Sequence, residues 1–330
     1  SSWTQISKWS NNPGLNTLNV PLVHADIHAL TFNPSDPDKA MIATDGGVYY
    51  ASSLASSSNS TSAIIGMGRD YNTTQFYWGS IGQNPLNEQF LGGAQDNGSN
   101  FITSVFSGTS LADEISGGDG AYNFIDKDGE YLISSYTGNT YYRFDLPITD
   151  GPSTIVSKGD EGDFINPAEL DDNLDILYTN GSSSAGFQIS RFTNLSLNSP
   201  TRTNLFNPLL NRSPTALKAS PFSLNSTNLF VGTDSGRLLK ISNANSSSVW
   251  SDISGLEFIG SISAINFGAN EDEIIVTFHN YGVISIWFTQ DGGSTWQNKE
   301  GNFHLEQLKK YQQQRLKYHH RYQYHSKLGL

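Results

Sequence analysis

Three aspartates stand in glycine-rich stretches between apolar segments: Asp45 in TDGGVYY, Asp96 in GGAQDNGSNF and Asp119 in SGGDGAYNFID. Two carboxylates about 5 to 9 Å apart can serve as acid and base across a scissile glycosidic bond. Asp45, Asp96 and Asp119 are candidates for such work where two of their turns open onto one cleft. The competing reading is architectural. Asp45, Asp96, Asp119 and Asp234 would each accept backbone N–H bonds within their own turn, and recurrence of the same acid from repeat to repeat favours turn geometry.

A second constellation is HADIHAL, where His24, Asp26 and His28 fall at alternating positions. On a strand, alternation places side chains on one face. Two imidazoles and a carboxylate there could ligate zinc or another divalent ion, or could form a hydrogen-bonded cluster at a sheet edge. A third group suits sugars. Gln95 and Asn97 carry carboxamides that pair with hydroxyls, and Tyr71 and Trp78, with Phe76 and Tyr77 between them, offer aromatic faces. These aromatics are equally suited to packing between sheets. DKDG at 126–129 lacks the later acids of a calcium loop and reads as a turn.

The elements that must hold these residues are strands. The chain has 330 residues with 31 Gly, 18 Phe, 15 Tyr and abundant Ser, Asn and Thr, a profile of many short strands and turns. An apolar strand, a turn bearing Gly, Asp or Asn, and a second apolar or aromatic strand recur around Gly46, Gly98, Gly138, Gly181, Gly236 and Gly282. The steps between those glycines are 52, 40, 43, 55 and 46 residues, the length of a four-stranded propeller blade. A further candidate strand precedes each hairpin, as in HALTFNPSDPDKA and ISAINFGANEDE. Pro and Gly interrupt the apolar runs too often for core helices. The expectation is an all-β propeller with six complete blades between about residues 24 and 302 and residues 1–10 contributing part of a seventh.

Composition excludes several classes. There is no cysteine, hence no disulfide scaffold, thiolate metal site or Cys nucleophile. No apolar run reaches the roughly 20 residues that span a bilayer. The opening SSWTQIS is no signal peptide, so a processed or truncated start is expected. The net charge of −12 conceals a division: residues 303–330 hold six of the 19 Lys and Arg but one of the 31 acids. The acidic body, 1–302, would repel nucleic-acid phosphates. The basic tail, 303–330, has Leu305, Leu308, Gln312 and Leu316 at helical spacing, and reads either as an amphipathic helix or as a segment foreign to the repeat.

TQDGGSTW at 289–296 matches the Asp-box, with Thr289, Asp291, Gly293, Thr295 and Trp296 in the pattern positions, and Trp3 in SSWTQIS stands where Trp296 stands. Physically the box is a hairpin clasp whose carboxylate accepts turn N–H bonds while Trp packs between sheets. With VHADIHALTFNPSDPDKAMIATDGGVYYAS and LGGAQDNGSNF, the chain to about residue 302 resembles the secreted neuraminidase-type-repeat propellers of Bacteroidetes-type bacteria, sortilin-like or xyloglucanase-like. The resemblance implies an exported or cell-surface protein of a Gram-negative bacterium with several domains. It also implies that Asp45 occupies the position of a catalytic carboxylate, although one residue is missing from the Thr-Asp-X-Gly-Gly turn. Arg69, Arg143, Arg191 and Arg237 stand in no sialidase-like setting.

Two functions follow as expectations. One is a non-catalytic propeller that binds a glycan or an extracellular protein. The other is a glycoside hydrolase using Asp45 with Asp96 or Asp119.

Overall fold

A computed structural model describes residues 2–68, 74–82, 88–104 and 110–301. The chain divides into two compact units, Ser1–Asn166 and Pro167–Leu330. The first unit holds three sheets. They comprise β1 (Ile27–Asn33), β2 (Asp36–Thr44), β3 (Gly47–Ala51) and β4 (Ile64–Gly66); then β5 (Trp78–Gly82), β6 (Gln89–Gly93), β7 (Ser99–Ile102) and β8 (Asp113–Ser116); then β9 (Phe124–Ile125), β10 (Tyr131–Ser135), β11 (Asn139–Asp145) and β12 (Ser153–Lys158).

The second unit holds three more. They comprise β13 (Ala168–Asp171), β14 (Ile176–Asn180), β15 (Ile189–Thr193) and β16 (Thr201–Leu205); then β17 (Pro214–Ala219), β18 (Leu229–Thr233), β19 (Leu238–Ser242) and β20 (Val249–Asp252); then β21 (Ile262–Phe267), β22 (Ile274–Phe278), β23 (Ile286–Thr289) and β24 (Gln297–Asn298). Every sheet is a four-stranded antiparallel meander in sequence order. These six blade-like units are consistent with a β-propeller. The only helical element among the described residues is a single 3₁₀ turn, Ser57–Asn59.

The six hairpin glycines of the sequence pattern all fall between the second and third strands of a sheet. The reason is local. Strands such as YLISS in β10, ILYTN in β14 and LFVGT in β18 are wholly buried, so both faces must be apolar or hydrogen-bonded, and polar, turn-forming residues are confined to the ends. In the first unit Leu91, Phe101, Ile125, Leu132 and Phe144 form one core cluster across the second and third sheets. In the second unit Phe230, Ile262, Ile274, Val276 and Trp287 form another. Burial of a side chain such as Phe230, fully removed from solvent, stabilises by about 2–3 kcal/mol relative to exposure.

The turn after β23 forms the clasp anticipated from its sequence. Asp291 Oδ1 accepts the Thr295 amide at 2.8 Å and the Thr289 hydroxyl at 2.7 Å, and Asp291 Oδ2 accepts the Thr295 hydroxyl at 2.6 Å. The Trp296 indole donates to Ile253 O at 3.0 Å and its ring lies 4.8 Å from that of Phe258. Trp3 does not repeat this arrangement: it is 97% exposed. Residues 2–10, expected to lend a strand to a seventh blade, make one parallel bridge between Lys8 and Leu22 and no strand. The tail expected to be helical lies outside the described residues.

Candidate ligand cleft

The first unit carries a cleft of about 1020 Å³ lined by the β2–β3 turn, the segment leading into β5 and the β6–β7 turn. Asp45, Asp96, Gln95, Asn97 and Tyr77 all line it. The β6–β7 turn is shaped by its own sequence. Asp96 has φ 59°, a left-handed conformation that Asp and Asn tolerate better than other residues with a Cβ. Gly98 has φ 66°, and a Cβ there would run into the carbonyl oxygen of Ser116. The turn is closed by Ala94 N–H to Gly98 O at 3.0 Å and tied to the next segment by Gly98 N–H to Gly118 O at 2.8 Å.

Asp119 lies in that next segment, where its Oδ1 accepts the Asp96 amide at 3.2 Å. Asp119 thus braces the backbone of Asp96 and also hydrogen-bonds its side chain, while Asp96 and Asp45 both line the cleft. Carboxylate oxygens of Asp26, Asp45 and Asp96 lie within 4.8 Å of one another. That spacing could serve one divalent cation through hard oxygen ligands. Burial, followed by the charges of Asp119, Asp26 and Asp45, raises the Asp96 carboxyl above its ordinary 3.8.

The metal-capable group therefore differs from the expected His24, Asp26 and His28. β1 begins only at Ile27, and Asp26 has φ 56°, so strand alternation does not reach back to His24 and the three side chains do not share a face. His28 instead donates through Nε2 to Asp45 Oδ1 at 2.5 Å. His24 donates through Nε2 to Asp96 O at 2.7 Å, and its backbone N–H bonds the Tyr49 hydroxyl at 3.2 Å. Its ring covers Gly46, where a Cβ would collide with imidazole carbons. One histidine thus touches the turn that carries Asp45 and the turn that carries Asp96.

The aromatic candidates separate. Tyr71 lies outside the described residues. Trp78 stacks on Tyr122 at 4.6 Å with an interplanar angle of 28°. Phe76 meets Phe90 edge-on at 5.6 Å. Tyr77 lines the cleft and donates its hydroxyl to Gln95 Oε1 at 2.5 Å. Asn97 Nδ2 donates to Gln95 O at 3.0 Å. Sequence reasoning counts Tyr77 among the aromatic faces but selects Tyr71 and Trp78 as the ligand residues.

Fold and site together define an all-β protein of six blade-like sheets with an acidic, carboxamide-bearing cleft in its first unit. No protein-family model matches the chain, and no curated protein matches it. Among solved structures, a chain of a crystal structure of the mitotic checkpoint complex is similar at 12% identity, over 80% of this chain and 75% of that one, with a TM-score of 0.48. No helix among the described residues is long and apolar enough to cross a membrane.

Proposed function

We propose that the chain is a carbohydrate-binding propeller within a larger secreted or cell-surface protein of a Gram-negative bacterium, and that its glycan lies in the cleft beside Asp45 and Asp96. The observation that carries this reading is the convergence of Gln95, Asn97, Asp45 and Asp96 with the ring of Tyr77 on one open space. Planar polar side chains around an aromatic face match the edge hydroxyls and apolar face of a sugar. The resemblance of the Asp291 turn to the Asp-box supports the extracellular setting. A glycan array probed with the wild type and with the Gln95→Ala, Asn97→Ala double variant tests the binding reading: the wild type gives signal that the variant loses. Signal for extracellular proteins and for no glycan would move the cleft to protein recognition.

One observation favours a second reading, hydrolysis. Burial, with the charges of Asp119, Asp26 and Asp45, raises the Asp96 carboxyl, as a general acid requires, and a carboxylate oxygen of Asp45 lies within 4.8 Å of one of its own. That upper limit falls below the roughly 6.5–9.5 Å that inverting glycosidases need for a water between the two groups, and so favours a retaining arrangement. In such a step Asp96 gives its proton to the leaving oxygen as the Asp45 carboxylate bonds the anomeric carbon. Water then cleaves the ester, passing its proton back to Asp96. Reducing-end release that disappears in both Asp45→Asn and Asp96→Asn supports hydrolysis; tight binding without release restricts the cleft to recognition.

A further inference from the structure

We infer that Tyr77 is the platform on which a pyranose ring stacks, and that the glycan it receives is uncharged; the inference rests on the carbohydrate-binding reading above. Three consecutive aromatics enter the second sheet, and two of them are engaged internally: Phe76 against Phe90, Trp78 against Tyr122. Tyr77 has no aromatic partner among the described residues and is 47% exposed on the cleft. It is also fixed at both ends. Its backbone N–H bonds Gly93 O at 2.8 Å, and its hydroxyl bonds Gln95 Oε1 at 2.5 Å. A ring held in this way loses little freedom when a ligand covers it, which is the condition for a productive stacking surface.

The groups beside the ring complete a sugar-shaped set. With Oε1 taken by Tyr77, Gln95 retains its Nε2 donor, and with Nδ2 given to Gln95 O, Asn97 retains its Oδ1 acceptor. Asp45 adds further acceptors. The C–H face of a pyranose fits the ring while equatorial hydroxyls meet this donor and these acceptors edgewise. Charge selects among sugars. Asp45 and Asp96 face the cleft with Asp26 close by, and no Lys or Arg lines it among the described residues. With no divalent cation on Asp26, Asp45 and Asp96, a uronate or sulfate would meet these carboxylates with no positive charge among the described lining residues to pair it, so this lining favours neutral polymers.

Affinity electrophoresis tests this with hydroxyethyl cellulose, galactomannan and mixed-linkage β-glucan as neutral pyranose probes and with polygalacturonate and alginate as anionic ones. The expected result is retardation of the wild type by at least one neutral polymer and by neither anionic one. Tyr77→Ala and Tyr77→Leu should weaken that binding about tenfold, because the π face is gone. Tyr77→Phe should weaken it about threefold, because the ring remains and only its tether to Gln95 is lost. Thermal melting of each variant confirms a folded chain, and Leu provides a bulky substitute if the Ala variant does not fold. Unchanged binding by Tyr77→Leu, or retardation by polygalacturonate equal to that by the neutral polymers, overturns the inference while leaving carbohydrate binding intact. A wild type retarded by none of the five polymers removes the carbohydrate reading and this inference with it.

Discussion

The imidazole of His24 donates to the backbone carbonyl of Asp96 at 2.7 Å, joining residues 72 positions apart. The same ring lies where a side chain on Gly46 would have to go. Gly46 is required for space, since its backbone is not in the left-handed region. Gly46→Ala should therefore destabilise by about 1–3 kcal/mol through overpacking against the ring. His24→Ala should cost about 1–2 kcal/mol from the lost bond and packing. Combined, the two should cost clearly less than their sum, because the cavity left by His24 receives the new methyl. Urea unfolding of the four proteins reads the coupling; strict additivity would show that the ring does not rest on Gly46.

Asp96 should make the protein less stable as pH rises through the acid range. Its folded carboxyl is raised above 3.8 by burial and by Asp119, Asp26 and Asp45, so the folded state keeps a proton that the unfolded state has released. The stability from that proton is fully present below 3.8 and is lost as pH climbs through the raised folded value. Asp96→Asn imitates the protonated form. Its melting temperature should match the wild type near pH 3 and exceed it by a small margin at pH 7, while cleft function falls.

Asp291 should act with the opposite sign. Hydrogen bonds from the Thr295 and Thr289 hydroxyls and the Thr295 amide hold its carboxyl down at about 2. The clasp's contribution is present above the ordinary 3.8 and is lost as pH falls through about 2. Asp291→Asn should flatten this acid limb, and a melting series from pH 2 to 6 shows the difference as a wild-type curve that drops towards the variant at low pH.

The legibility of this chain follows the range of the forces involved. Hairpins at Gly46, Gly98, Gly138, Gly181, Gly236 and Gly282 are readable because turn residues and flanking apolar runs are adjacent in sequence. The clasp at Asp291 is readable for the same reason: its bonds span two to four residues. Asp45 and Asp96 are marked by their glycine-rich turns, but their approach to Asp26 is not, since it depends on the left-handed turn at Asp26 and on His24 reaching the β6–β7 loop. Applying strand alternation to HADIHAL fails at Asp26, one residue before β1 begins. Likewise the choice between Tyr77 and Trp78 depends on Tyr122, which no local pattern links to either.

In the second unit, Lys218 of β17 donates to Glu169 of β13 at 2.7 Å, and the same carboxylate accepts the Ala219 amide at 3.3 Å. Glu169 is 4% exposed, whereas Lys218 keeps access to solvent. Burial raises the Glu169 carboxyl above 4.5, and Lys218 opposes that rise. Lys218→Met removes the opposing charge and strands a buried carboxylate, at a cost of about 3–5 kcal/mol near neutral pH. Loss of Lys218 lifts the folded value further, so the penalty should disappear as pH falls below 4.5, where folded and unfolded states are both protonated. Urea midpoints of Lys218→Met and wild type should therefore separate widely at pH 7 and converge towards pH 4. Glu169→Gln, which cannot ionise, should gain on the wild type as pH rises from about 4 to 7, because the raised Glu169 carboxyl costs the wild type stability there. A gap for Lys218→Met that stays constant with pH would assign its effect to lost packing of the lysine stem rather than to the uncompensated carboxylate.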